Sequence, residues 1–275
     1  MTPELVRSLL RAAAVLAAAV SSSGWAQERI ILDGSTGMIP LAKAVAQVYQ
    51  QKSPDNRAEV GQGLGTSARL KAVADGSIHI ALASHGVTKA DLEKNGLRSI
   101  DVAKGAIVFA VHASVPLGDI SEQQVCDLFS GRTANWKGLN GPDAAVVVLT
   151  RPPVEVDPEV IRAKVACFKD LKEVDSARVM ARGGDMAKGL AETPHAIGMT
   201  SMTVVEQSGG KLRALALNGI APSAENVKAG RYFLTRDFLF VVKAAPSPSV
   251  ARFLDFVMSA HGDAVITGSG AIPLR

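Results

Sequence analysis

The sequence predicts an α/β fold, on three observations. Short apolar runs of strand type alternate along the chain with amphipathic stretches of helical period. Glycine, proline and small polar residues punctuate the junctions between them. Beyond the N-terminus, no uninterrupted apolar run reaches the roughly 20 residues that span a bilayer.

Residues 1–26 read as a cleaved secretory signal. Arg7 and Arg11 form a short basic region, Ala12 to Val20 an apolar stretch, and Ser21 to Gly24 its end. Gly24-Trp25-Ala26 places small residues at the two positions a signal peptidase reads, which sets the cut before Gln27. The apolar stretch is too short for a membrane anchor. The residue directly after the cut is Gln27 rather than a Cys, so a lipid-anchored form is not expected. The mature chain, about 250 residues long, is therefore expected free in the periplasm, with enough length for one large or two medium domains.

The elements follow in order. Arg29 to Leu32 reads as a strand and Asp33 to Gly37 as a turn. A helix is expected over Pro40 to Gln51, with Leu41, Val45, Val48 and Tyr49 on one face and Pro40 in the first turn. Ala58 to Val60 is a short strand, Gly61 to Ser67 a glycine-rich loop, and Ala68 to Ala74 a helix. Ile78 to Ala83 is an apolar strand, Val87 to Lys94 a helix, and Ile107 to Val111 a buried strand. Ser121 caps a helix over Glu122 to Phe129, with Gln124 completing a capping box. Ala145 to Leu149 is a strand that ends at Thr150-Arg151. Asp157 is expected to cap a helix over Pro158 to Phe168. Asp185 to Glu192 reads as helix, Ala196 to Thr200, Leu212 to Leu217 and Phe238 to Val242 as strands. Val250 to Ser259 and Gly262 to Thr267 close the chain as helices.

The net charge of +4 arises from 30 basic and 26 acidic residues scattered without a basic run, and aromatic content is only 4%. Nucleic-acid binding has no support in that pattern, whereas a mild positive balance suits an anionic ligand. Cys126 and Cys167 permit either a disulfide, which an exported protein can keep, or two buried thiols. Their spacing matches no zinc site.

Strand-to-loop junctions place hydroxyls and glycines where helices begin: Gly34-Ser35-Thr36-Gly37, Gly63-Leu64-Gly65-Thr66-Ser67 and Ala83-Ser84-His85-Gly86. Helix N-termini offer unpaired N–H groups and partial positive charge, glycine admits close approach, and hydroxyls add donors. The set suits an oxyanion, although each loop alone reads equally as a cap and a turn. Arg151, at a strand end, can clamp an anion bidentately. No nucleophile motif, metal-ligand spacing, phosphate-loop lysine or dinucleotide fingerprint is present, so neither an enzyme nor a cofactor is expected.

Four segments carry a family resemblance. Ile120 to Trp136 runs through a helix into Phe129-Ser130-Gly131 and then Asn135-Trp136. Phe253 to Ser259 leads to a closing Gly270-Ala271-Ile272-Pro273-Leu274. Pro194 to Met199 holds Ala196-Ile197-Gly198, and Asp33-Gly34-Ser35-Thr36 is followed by Pro40-Leu41-Ala42. In this order and over nearly the whole mature chain, the sequence resembles the phosphate-binding component of bacterial phosphate ABC transporters, among the type II periplasmic binding proteins.

The resemblance implies two lobes, each a sheet flanked by helices, joined by a two-strand hinge. Lobe one would hold 27–104 and 232–275, and lobe two 105–231. It implies a monomeric, non-enzymatic carrier for phosphate or a related oxyanion that delivers its ligand to a membrane permease. Ser35, Thr36, Gly37, Gly65, Thr66, Ser67, Ser84 and Arg151 would line the ligand. The sequence departs from the family pattern at Leu64, where a Ser is usual, and at Ser84-His85, where an Asp is usual. Pro152 to Asp157 also replace a loop of hydroxyls and glycines. These departures favour a different oxyanion or a small carboxylate, or else an exported sensor or scaffold that contacts a protein partner.

Overall fold

The computed structural model describes residues 29–64, 66–84 and 87–275, without the side chains of Thr66 and Ser67. The signal segment 1–26, Gly65 and His85 lie outside the described residues. The strands are β1 (Arg29–Gly34), β2 (Arg57–Val60), β3 (Ile80–Ala83), β4 (Leu97–His112), β5 (Asp119–Ile120) and β6 (Val147–Thr150). They continue with β7 (Arg178–Val179), β8 (Ala196–Ser201), β9 (Leu212–Ala214), β10 (Ala216–Leu217), β11 (Thr235–Lys243) and β12 (Ala271–Pro273).

The main sheet runs β2-β1-β3-β11-β4-β8-β6-β7. β1 pairs parallel with β2 and β3, and β11 lies antiparallel to β3 and β4. β4 is the spine: its first part pairs with β11, and from Ile107 onward it pairs with β8 and β9. β6 lies parallel to β8 and β7.

Two main cores form on this frame. One gathers Ile30, Leu32, Leu41, Val45, Phe238, Phe240 and Phe253. The other gathers Phe109, Val125, Phe129, Trp136, Leu149, Phe168 and Ile197. The chain crosses between them along β4 and returns just before β11, where Ile107 N donates to the Leu234 carbonyl at 2.8 Å. Tyr232 Oη donates to the Ile107 carbonyl at 2.8 Å at the same place, and burial pushes its hydroxyl pKa up. The molecule is thus two α/β lobes hinged on adjacent strands.

Several elements differ from the sequence reading for identifiable reasons. β4 starts ten residues earlier than expected, because Arg98, Ser99 and Asp101 break the apolar pattern while β11 supplies the pairing. The expected Leu212–Leu217 strand is two, since Leu212–Ala214 pairs with β4 and Ala216–Leu217 with β5. Asp157 is not a cap. The helix begins at Val156, behind Glu155, and ends at Lys164, and a 3-10 turn covers Ala166–Phe168. Pro158 still falls in the first turn, where a missing N–H costs nothing. The Glu122–Phe129 helix carries the expected capping box of Ser121 and Gln124.

Cys126 and Cys167 are joined in a disulfide with a sequence separation of 41. The bond ties the Glu122–Phe129 helix to the 166–168 turn beside the packed rings of Phe129 and Phe168, whose centroids are 5.3 Å apart.

Candidate ligand-binding cleft

The cleft is built where strands of both lobes end. β1 stops at Gly34, whose φ of 143° lies in the left-handed region, and a Cβ there would stand 2.3 Å from the Leu82 carbonyl oxygen. Glycine alone lets β1 lie this close to β3. Ser35 N donates to that same carbonyl at 2.8 Å, which brings Ser35 beside Ser84 at the end of β3. Their hydroxyl oxygens are 3.5 Å apart. Ser35 precedes the 3-10 turn Thr36–Met38 but makes no side-chain cap bond, so its hydroxyl is not used as a helix cap. Asp33 braces the loops instead, accepting from Gly34 N at 2.7 Å and from Gly63 N at 2.8 Å.

Thr36 reaches across to the second lobe, where its Oγ1 accepts from Gly183 N at 3.1 Å. Beside this contact lies a cavity of about 350 Å³, lined by Lys43, Gln62, Arg182 and Gly184 among others. Gly37 accepts at its carbonyl from Arg236 Nη2 at 3.2 Å. Thr66 and Ser67 open the helix Thr66–Asp75, and Arg69 within it is 1% exposed. Burial pushes the Arg69 guanidinium pKa down, and the charge of Glu155 opposes that shift.

On the second lobe β6 ends at Thr150, and Arg151 follows at 5% exposure. Arg151 Nη2 donates to Glu155 Oε2 at 2.7 Å. Its Nε and Nη1, and Thr150 Oγ1, are buried with no hydrogen-bond partner among the described residues. Each orphaned buried donor costs about 1–3 kcal/mol. Donors so placed are satisfied when an anion accepts from them, and a guanidinium presents two in parallel. Pro152 and Pro153 contribute no N–H, and Glu155 N donates to the Pro152 carbonyl at 3.0 Å to close the turn.

Of the residues nominated from sequence, Ser35 and Ser84 meet at one point, Thr36 touches the opposite lobe at Gly183, Gly37 accepts from Arg236 of its own lobe, and Arg151 is buried with open donors. Gly65 and the side chains of Thr66 and Ser67 are outside the description. Sequence reading missed Arg69, Thr150, Glu155 and Arg236. Thr150 carried a signal, as the hydroxyl next to Arg151 at a strand end. The buried arginines carried none.

Comparison with known proteins agrees with this architecture. Residues 21–261 match the PBP superfamily domain. The phosphate-binding protein PstS of Bacillus subtilis is 27% identical over 248 residues, covering 89% of this chain and 80% of its own. Protein SphX of Synechococcus elongatus is 29% identical over 289 residues, covering 94% and 84%. A Clostridium perfringens structure, assigned as a phosphate ABC transporter substrate-binding protein and solved with bound phosphate, aligns at a TM-score of 0.74. It is 26% identical and spans 90% of this chain and 100% of that one. With a match over most of its length, the chain belongs to the PBP superfamily.

Proposed function

We propose that this protein is the extracytoplasmic substrate-binding component of an ABC importer for phosphate. The observation that carries the proposal is the buried, unpartnered Nε and Nη1 of Arg151 beside the unpartnered Thr150 hydroxyl. A phosphate accepting from these donors on lobe two would meet Ser35, Ser84 and the Thr36–Gly37 backbone on lobe one. The 66–67 turn, with Gly65 before it, would complete the shell. Relatives and a structural neighbour that carry phosphate in their names support the choice of ligand. In this reading 27–104 with 232–275 forms one lobe and 105–231 the other. The signal segment is cut before Gln27, and the monomer delivers phosphate to a membrane permease in the periplasm without chemical change.

Calorimetric titration of phosphate into protein beginning at Gln27, unfolded and refolded to strip resident ligand, tests the proposal. Stoichiometric binding is the expected result. Absence of binding by phosphate, sulfate and small carboxylates alike would shift the reading to a partner-contacting sensor. Glu155 already seated on Arg151 and the donor-free Pro152-Pro153 favour that second reading.

A further inference from the structure

Arg236 lies at the start of β11, just after the return crossing between lobes, and is 6% exposed. Its Nη1 donates to Asp157 Oδ1 at 3.0 Å, and its Nη2 to the Gly37 carbonyl. The guanidinium carbon also lies 5.3 Å from the Phe238 ring centroid. Asp157 belongs to the first turn of the lobe-two helix Val156–Lys164 and is 8% exposed. Gly37 belongs to the lobe-one loop that carries Ser35 and Thr36. One side chain therefore joins the hinge strand, the lobe-one loop and a lobe-two helix. The loop is shaped around it: a Cβ on Gly37 would stand 2.5 Å from Arg236 Nη1.

The opposite end of the same acidic turn faces a second lobe-one arginine. Glu155, two residues before Asp157, holds Arg151 Nη2, and its charge supports that of buried Arg69 in the Thr66–Asp75 helix. Arg69, Arg151 and Arg236 are thus buried with Glu155 and Asp157 as their carboxylates. Among these described groups the arginines exceed the carboxylates by one, and the unpartnered donors include two on Arg151, Nε and Nη1, and one on Arg236, Nε. Burying a surplus cation is costly. Closure over an empty cleft carries that cost, and closure over an anion does not.

We infer that Arg236 and Asp157 form a closure latch, a positioning pair that locks the lobes together once an anion has occupied Arg151. The inference rests on the proposed anion-binding role of this cleft. The pair acts through the lobes rather than through the ligand, so its signature is kinetic. It is broken in the open encounter complex and made in the closed one. Its loss therefore speeds ligand release and leaves capture unchanged.

The test uses the full mature chain with spin labels at two exposed positions, Gln47→Cys on lobe one and Lys188→Cys on lobe two. Phosphate kinetics by stopped flow and inter-label distances are measured in wild type, Asp157→Asn and Arg236→Lys. Asp157→Asn is expected to raise the phosphate off-rate at least tenfold, hold the on-rate within threefold, and enlarge the long-distance population. Arg236→Lys, which keeps the charge but not the two-way fork, should fall between. If Asp157→Asn alone fails to fold, the double variant Asp157→Asn, Arg236→Gln removes the pair without stranding a charge and carries the same expectation. An off-rate within twofold of wild type, or unchanged distances, overturns the latch. If wild type binds no phosphate, the proposed function fails separately. The latch is then decided on ligand-free distances: a larger open population in the variant supports it, and identical distributions overturn it.

Discussion

Replacing Arg151 with methionine should weaken ligand binding while sparing the fold. The guanidinium is 5% exposed, donates one nitrogen to Glu155, and holds Nε and Nη1 without partners. Each charge-assisted bond that a ligand would accept there contributes about 1.5–3 kcal/mol. Losing both costs about 3–6 kcal/mol of binding, or roughly two to four orders of magnitude in Kd. The ligand-free protein should respond in the opposite sense. Orphaned buried donors each cost about 1–3 kcal/mol, and methionine removes them. The lost pair with Glu155 offsets little of this gain, because the Glu155 side chain is 36% exposed and screened by solvent. Phosphate calorimetry on stripped protein, with ligand-free melting beside it, reads both quantities. A Kd within threefold of wild type would refute the placement of ligand on Arg151. A ligand-free melting point more than about 10 °C lower would show that the residue serves the fold instead.

Two further outcomes concern the lobes. Replacing both cysteines, Cys126→Ala with Cys167→Ala, frees a loop whose ends are 41 residues apart. Loop-closure entropy then predicts a loss of about 4 kcal/mol, readable by denaturant unfolding, with phosphate affinity retained because the bond lies away from the cleft. Tyr232 titrates above its ordinary value in the folded state because it is buried. The folded protein holds that proton more tightly than the unfolded chain, so the stability linked to it is full below about pH 10 and declines as pH rises toward the folded-state value. Tyr232→Phe should flatten the alkaline decline of the melting curve by up to about 1.4 kcal/mol per pH unit. At neutral pH it should cost about 1 kcal/mol for the lost bond to Ile107. Parallel alkaline slopes in the two proteins would contradict this.

The elements most legible in the sequence were those whose signals are local. The Glu122–Phe129 helix announces itself by Ser121, Gln124 and its apolar face. The extent of β4 was not legible, since its polar half becomes strand only through pairing with β11. Ser35, Thr36, Ser84 and Arg151 could be nominated because hydroxyls, glycines and a cation at strand ends form a recognisable chemical pattern. Arg69 and Arg236 could not, because a buried arginine is written like a surface one. Asp157 illustrates the difficulty well. Its position before Pro158 reads as a helix cap, yet its partner is Arg236, 79 residues away in sequence. Only the return of the chain through the hinge brings the two together.

The most direct test is a crystal structure of the stripped protein grown with phosphate. The expected result is one tetrahedral anion within hydrogen-bond reach of Arg151 Nε and Nη1 and Thr150 Oγ1 from one lobe, and of Ser35 and Ser84 from the other. A cleft without an anion at saturating phosphate, or phosphate held elsewhere with the Arg151 donors still unpaired, would contradict the account.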